Sequence, residues 1–121
     1  MKVGIIGAGW IAERMAVALN GLKRPDITCH AIASRSLEKA QAFARQWNLP
    51  KAYGSYEELV ADPEIDLVYI ATPHSHHYQH SVLAINAGKA VLCEKAFTAN
   101  AREAEALLNL AHEKGVFITE A

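Results

Sequence analysis

The sequence predicts an α/β domain in which helices cover both faces of a parallel, six-stranded sheet. Short apolar segments without polar alternation recur along the chain, and longer segments with a helical apolar period separate them. The first apolar segment runs directly into Gly7, Ala8 and Gly9, a strand, glycine turn and helix start. Strands that alternate with helices form a doubly wound sheet, so we expect a Rossmann-type fold with strand order 3-2-1-4-5-6.

Each element has a local signal, and together the elements fill residues 1–121 as one domain. Polar residues at Ser36, Ser55 and Asn100 predict helix N-caps, while Gly88 and Gly115 predict helix ends. The segment 23–26 contains a proline and breaks the chain after the first helix. The predicted strands are 2–6, 27–33, 51–53, 66–71, 90–93 and 116–119, and the predicted helices are 10–22, 36–46, a short one from 55, 75–87 and 100–115.

The glycine turn has the G-x-G-x-x-A spacing of a dinucleotide site. Gly7 permits a tight turn, and Gly9 lets the backbone approach a pyrophosphate. The small Ala12 allows close packing of the helix on its strand. We expect the N–H groups of Trp10 and Ile11 to face the phosphates, because a helix start attracts anions.

The second strand ends in Ser34, Arg35 and Ser36, where an NAD-selective site usually carries a carboxylate that holds the ribose. A guanidinium next to hydroxyl groups suits a 2′-phosphate instead. The sequence therefore favours NADP as the cofactor, with NAD possible. The missing acid also argues against FAD and S-adenosylmethionine.

A histidine-rich segment follows the fourth strand, where the ligands of open α/β sheets bind. His76 and His80 lie four positions apart on one helix face, but no Cys, Asp or Glu in the segment completes a metal-ligand set. We predict that these two are solvated and that the chain holds no metal. The residues expected to line the crevice are Thr72, Pro73, His74 and His77.

Glu94 and Lys95 follow the fifth strand at the same edge of the predicted sheet. A lysine in this place can donate to a carboxamide, a substrate hydroxyl or a developing alkoxide. Glu94 is suited to hold a ribose hydroxyl or to orient the lysine.

Charge and composition exclude several classes of protein. The net charge is −1, and no basic stripe marks a nucleic-acid surface. No apolar run reaches the roughly 20 residues that span a bilayer, so we expect no membrane partner and a cytoplasmic protein. Cys29 and Cys93 lie in apolar strands about three strand spacings apart, and we expect free, buried thiols.

Several segments together resemble the glucose-fructose oxidoreductase/inositol dehydrogenase/rhizopine catabolism family, particularly its dihydrodiol dehydrogenase-like branch. They are the glycine turn, residues 71–77, residues 87–95 and Glu120-Ala121. The resemblance implies hydride transfer between a nicotinamide and a sugar, polyol or diol carbon. It also implies that Lys95 is catalytic and touches cofactor and substrate, that Glu94 touches the cofactor, and that His74 and His77 lie near the nicotinamide ribose.

The chain departs from the family pattern at two points. Ala96 replaces the proline that follows the lysine in the family's Glu-Lys-Pro motif, so Lys95 is less rigidly placed. Family members also continue into a second domain with the substrate pocket and much of the oligomer interface, which is absent after Ala121. We therefore expect a homo-oligomeric oxidoreductase for the full-length protein and an inactive fragment. The alternatives are a non-catalytic dinucleotide-binding or redox-sensing module and a domain for another adenosine ligand.

Overall fold

A computed structural model describes residues 1–22, 24, 26–95, 98 and 100–121. Within them, six parallel strands form one sheet in the order β3-β2-β1-β4-β5-β6, as the sequence predicts. The order reverses between β1 and β4, which pair directly from Val3↔Leu67 to Ile6↔Ile70. The strands are β1 (Lys2–Ile6), β2 (Thr28–Ala33), β3 (Lys51–Tyr53), β4 (Leu67–Ile70), β5 (Ala90–Cys93) and β6 (Ile118–Glu120).

Helices cover both faces because successive residues of each buried strand point to opposite sides. On one face, α1 and α2 pack on a core that includes Ile5 and Ile32. On the other face, α3, α4 and α5 pack on a core that includes Ile6 and Val68. The helices are α1 (Trp10–Gly21), α2 (Leu37–Trp47), α3 (Tyr56–Val60), α4 (His77–Asn86) and α5 (Ala101–Lys114).

The predicted helix N-caps are confirmed. The side chains of Ser36, Ser55 and Asn100 each accept a hydrogen bond from the backbone N–H three residues on. Gly88 and Gly115 have positive φ at the ends of α4 and α5. Lys23, Pro25 and Ala96 lie outside the described residues. The predicted break at 23–26 and the expected effect of Ala96 on Lys95 therefore fall partly outside them.

Two elements begin two residues later than predicted, and the other boundaries given above agree within one residue. The histidine-rich segment first forms a 3-10 turn over His74–His76, and α4 begins only at His77. The last strand begins at Ile118 rather than at residue 116, because Val116 lies just after α5 and donates its N–H back to the carbonyl of Ala111 in that helix. Phe117, between Val116 and the strand, is 65% exposed.

Both cysteines are buried and neither forms a disulfide within the described residues, as predicted. Burial raises the pKa of the Cys29 thiol to about 12 and that of Cys93 to about 11. Neither thiol therefore ionises appreciably at neutral pH. Among the described helices, none is both long enough and apolar enough to cross a lipid bilayer.

Candidate functional site

The glycine turn lies at the carboxyl edge of the sheet, between the ends of β2 and β4. Gly7 donates its N–H to the carbonyl of Ala33 at 2.9 Å and has a φ of +99°. A Cβ at this position would lie 3.1 Å from the backbone of Ala71 and from the Thr72 side chain. Both the backbone conformation and the space therefore require glycine here.

Gly9 is the N-cap residue of α1, and among the described residues no side chain caps this helix. A Cβ on Gly9 would meet no atom of the described residues within 4 Å, so the space in front of the helix start is open. The uncapped N–H groups of the first turn need an acceptor, and a pyrophosphate supplies one. A dinucleotide therefore fits this turn.

The residues after Gly9 divide between the core and the surface. Ala12 is fully buried against the sheet, as the spacing predicts. Ile11 is half-buried, whereas Trp10 is 66% exposed and has the guanidinium of Arg14 5.1 Å from its ring centre. The indole is thus at the surface, beside the helix start.

At the end of β2, the two serines use their oxygens to shape the loop. The Ser34 hydroxyl oxygen accepts the N–H of Ser36 at 3.3 Å, and that of Ser36 accepts the N–H of Lys39 at 3.3 Å. Their hydroxyl protons remain available to a ligand. Arg35 is exposed and makes no salt bridge within the described residues, so its guanidinium is available for an anion.

A cleft of about 330 Å³ joins the glycine turn to this loop. It adjoins a second cleft of about 460 Å³, and Arg35 and Tyr56 line both. Lys39, in the first turn of α2, also lines the smaller cleft and places a second cation there. Sequence reasoning missed Lys39 and Tyr56, although each lies just inside a helix whose N-cap it had identified. The smaller cleft also contains Gly7, Ala8, Ser34, Ser36, Ala71, Thr72 and Pro73.

Thr72 follows β4 and is fixed by two histidines of α4. The imidazole Nε2 of His77 lies 2.7 Å from the Thr72 carbonyl oxygen, and Nδ1 of His80 lies 2.8 Å from its hydroxyl. His77 is only 1% exposed, so the expectation that its side chain points into the crevice is wrong. Its place is beneath the turn that carries Thr72 and Pro73.

The prediction that His80 is solvated is also wrong. Its ring packs edge-on against Tyr56 at 4.6 Å between centroids, and burial, with the charges of His76 and His77, lowers its pKa to about 4. His80 is therefore neutral at physiological pH. The prediction for His76 is confirmed, since it is exposed, and so is His74 at the start of the 3-10 turn.

Glu94 and Lys95 follow β5 at the same edge of the sheet. The buried Tyr69 hydroxyl donates to the Glu94 carboxylate and fixes its direction. Burial and the nearby Glu94 raise the pKa of Tyr69, so this hydroxyl remains a donor. Lys95 is exposed. Sequence reasoning missed Tyr69, because a tyrosine within an apolar strand is indistinguishable from an ordinary core residue.

The carboxylate of Glu94 lines a third cleft, of about 350 Å³, which lies against α1. Trp10 and Ile11 line the same cleft. The start of α1 thus separates two groups of predicted residues: the loop after β2 with Thr72 and Pro73 on one side, and Glu94 on the other. An extended ligand that crosses the helix start would reach both groups.

A family model described as "Oxidoreductase family, NAD-binding Rossmann fold" (GFO_IDH_MocA) matches residues 1–121. The chain is 44% identical over 121 residues to a trans-1,2-dihydrobenzene-1,2-diol dehydrogenase of Mus musculus and covers 36% of that protein. It is 44% identical over 131 residues to a D-xylose 1-dehydrogenase (NADP(+)) of Hypocrea jecorina and covers 34% of it. All of the present chain takes part in both alignments.

Solved structures agree with this relationship. An NAD binding oxidoreductase from Klebsiella pneumoniae superposes with a TM-score of 0.93 at 33% identity, over 100% of this chain and 34% of that one. The 3-ketoreductase KijD10 from Actinomadura kijaniata, solved in complex with NADP, gives 0.92 at 33% identity, over 99% of this chain and 38% of that one. The chain thus spans about a third of the length of the proteins it matches. Since the family match extends over every residue, the chain belongs to the GFO_IDH_MocA oxidoreductase family and forms its NAD-binding Rossmann fold.

Proposed function

We propose that this chain binds NADP in preference to NAD, as the cofactor-binding part of an oxidoreductase that acts on a sugar, polyol or diol. The bound nicotinamide supplies the hydride acceptor or donor, and the reacting carbon changes between CH–OH and C=O. A diol dehydrogenase and a xylose dehydrogenase among the relatives support this substrate class. The relatives named with NADP support the cofactor.

The observation that carries the cofactor preference is the cationic loop after β2. Arg35 is exposed without a salt bridge in the described part of the chain, and Lys39 lines the same cleft. Two cations and two serine hydroxyls suit a dianionic 2′-phosphate, whereas a ribose hydroxyl gains little from them. The glycine turn then holds the pyrophosphate through backbone N–H groups alone.

The proposed chemical step uses the residues after β5. Lys95 would donate a hydrogen bond to the oxygen of the reacting carbon and stabilise negative charge there as the hydroxyl proton passes to solvent water. Glu94, oriented by Tyr69, contacts the cofactor or directs the lysine. His74 is proposed to lie near the nicotinamide ribose, while His77 supports the Thr72–Pro73 turn from below.

Calorimetric titration of NADP and NAD tests the cofactor preference. A charge-assisted bidentate contact contributes roughly 1.5–3 kcal/mol, so NADP is expected to bind about 10- to 150-fold more tightly than NAD. The Arg35→Ala variant should lose most of this preference, and Lys39→Ala should lose a smaller part.

Arg45→Ala is the matched control, since Arg45 is an exposed arginine in the last turn of the same helix, away from the cleft. Its affinity for both cofactors should equal that of the original protein. Equal affinity for NADP and NAD, or an unaffected Arg35→Ala variant, would contradict the proposal. Tight NADP binding by the intact protein without turnover of any polyol, diol or aldose would favour a non-catalytic dinucleotide-binding module.

Assembly and location complete the proposal. The outer side of β6 carries no neighbouring strand within the described residues, and an open strand edge pairs readily with another chain. We therefore expect a homo-oligomer, which sedimentation over a wide concentration range tests. Two buried cysteines without a disulfide in the described part of the chain suit a reducing compartment, and a cytoplasmic location is part of the same proposal.

A further inference from the structure

A second polar cluster lies at the amino edge of the sheet, opposite the glycine turn. Its centre is His30 in β2. Val3 of β1 pairs with Cys29 and the next residue, Gly4, pairs with Ala31, so His30 is the extra residue of a β-bulge. Bulges re-aim side chains and concentrate next to functional sites. The bulge turns the His30 ring toward the segment between α3 and β4.

The His30 ring is buried without a matching hydrogen bond. Its side chain is 8% exposed, and Nε2 makes no hydrogen bond to any described residue. The atoms that Nε2 faces are carboxylate oxygens, with Glu64 Oε2 at 3.4 Å and Asp62 Oδ2 at 3.9 Å. A buried imidazole nitrogen aimed at two carboxylates at such distances has an unmet need for a partner.

These separations suit a metal ion. The three ligand atoms lie within 4.8 Å of one another. Zinc bonds to nitrogen and oxygen are about 2.0–2.1 Å long, which puts neighbouring ligand atoms of a tetrahedral site roughly 3.3 Å apart. The Nε2–Oε2 distance of 3.4 Å already has this value, whereas the Nε2–Oδ2 distance of 3.9 Å would have to shorten by about 0.6 Å.

Asp62 is held in a fixed orientation for this role. Its Oδ2 accepts the Tyr53 hydroxyl at 2.6 Å, and its Oδ1 accepts the backbone N–H of Glu64 at 2.9 Å. These two hydrogen bonds hold the carboxylate with Oδ2 toward His30 and Lys51.

A cation already lies at the two carboxylates. The Lys51 ammonium is 3.3 Å from Asp62 Oδ2 and 3.2 Å from Glu64 Oε2, which are the same oxygens that face His30. Lys51 is 41% exposed, so its side chain can swing into solvent. Lys2 binds the other oxygen of Glu64 at 2.9 Å and leaves Oε2 to this site. The ammonium contacts the two carboxylates but makes no hydrogen bond with Nε2 of His30. A metal ion at this place could bind all three groups.

We propose that His30, Asp62 and Glu64 form a binding site for a divalent cation of the zinc class. The Lys51 ammonium competes with this cation for the two carboxylates. One imidazole and two carboxylates occupy three positions of a tetrahedral site and leave the fourth to water. Solvent can reach this position because the side chains of Glu64 and Lys51 are partly exposed. Bound metal would join the bulge of β2 to the segment before β4. The site is at the opposite edge of the sheet from the proposed cofactor cleft and is independent of it.

Zinc titration of the purified protein, by calorimetry and by thermal unfolding, tests this proposal. One equivalent of Zn²⁺ should bind and raise the unfolding temperature. Glu64→Gln removes a ligand at an exposed position and should weaken zinc binding by roughly 10- to 100-fold or more. Lys51→Met removes the competing ammonium and should tighten it. His30→Gln should weaken it as Glu64→Gln does.

His76→Ala is the control for histidines of the cofactor edge and should bind zinc as the original protein does. Mg²⁺ prefers oxygen ligands and should bind far more weakly than Zn²⁺. The proposal is overturned if neither the original protein nor Lys51→Met binds zinc. It is equally overturned if Glu64→Gln leaves zinc affinity unchanged, if His76→Ala abolishes binding, or if Mg²⁺ binds as tightly. Because Glu64 is exposed, its variant decides the question even if His30→Gln does not fold.

Discussion

The carboxyl edge of the sheet offers a ligand mostly backbone groups and unpaired side chains, whereas the amino edge joins its charged side chains to one another. At the carboxyl edge, the helix start after Gly9 is uncapped and Arg35 is exposed. At the amino edge, Glu64 alone contacts Lys2, His30 and Lys51. The difference separates a surface suited to a large anionic ligand from one whose charged side chains pair with one another around Nε2 of His30, an atom without a hydrogen bond to any described residue.

The strongest test of this contrast is Lys95→Ala in the intact, active protein. If Lys95 stabilises the reacting oxygen, kcat should fall by roughly 10²–10³-fold while cofactor affinity changes little. Steady-state kinetics and cofactor titration measure the two effects separately. Lys114→Ala, at an exposed lysine in the last turn of α5, is the control. A fall in kcat of less than about tenfold would reduce Lys95 to a cofactor contact.

Gly7→Ala should strain the backbone at the carboxyl edge of the sheet and so destabilise the protein. Alanine at a φ of +99°, with its Cβ 3.1 Å from Ala71, should lower the free energy of unfolding by up to about 3 kcal/mol. Denaturant unfolding measures the loss, and NADP affinity should fall with it. Gly21→Ala is the control, because a Cβ there meets nothing within 4 Å. Equal stability of the two variants would contradict the assigned role of Gly7.

Lys89→Met tests the amino edge in the same way. The buried Lys89 ammonium donates to the carbonyl oxygens of Asp62 at 2.8 Å and Ile65 at 2.7 Å. Methionine keeps the volume but removes both hydrogen bonds. The Asp62 carbonyl still accepts the N–H of Ile65, whereas the Ile65 carbonyl loses its ammonium donor, so the free energy of unfolding should fall by about 1–3 kcal/mol. NADP affinity should not change, since the site lies at the opposite edge. A loss of cofactor binding without a loss of stability would refute this separation of the two edges.

The smallest expected effect is a pH dependence that arises from His80. Its pKa is about 4 in the folded protein and near 6.5 when exposed, so the unfolded chain takes up a proton first. Stability should therefore decrease as the pH falls from 6.5 toward 4, by about 1 kcal/mol once the partial exposure of the ring is allowed for. The free energy of unfolding should depend less on pH across this range in His80→Gln than in the original protein. A free energy of unfolding that rises toward pH 4 would contradict the predicted direction.

The sequence predicts the carboxyl edge well because its determinants are local. The positive φ of Gly7, the N-cap at Ser36 and the loop around Arg35 each depend on a few neighbouring residues. The strand order also follows from the alternation of strands and helices. What the sequence conceals are contacts across the fold: the Tyr69–Glu94 hydrogen bond joins residues 25 positions apart.

The histidines make the same point more sharply. The sequence divides the four histidines of the segment 74–80 into two predicted to line the crevice and two predicted to be solvated. Tertiary packing instead buries His77, partly buries His80 and exposes the other two. His30 gave no signal at all, because its partners lie more than thirty positions away and its bulge exists only in the pairing of β1 with β2. The prediction of no metal examined only the histidine-rich segment and did not reach this cluster.

In the proposed site, the glycine turn and the loop after β2 contact different parts of the cofactor. This separation affects how the cofactor preference can evolve. In this proposed site, backbone groups hold the part common to both nicotinamide cofactors, while Arg35 and Lys39 lie at exposed positions outside the core. Exchange of these two surface residues for an acidic and a neutral one should therefore alter the proposed cofactor preference and leave the fold intact. Lineages that draw on different cellular pools of reducing power can diverge through such exchanges alone, each with a modest cost to stability.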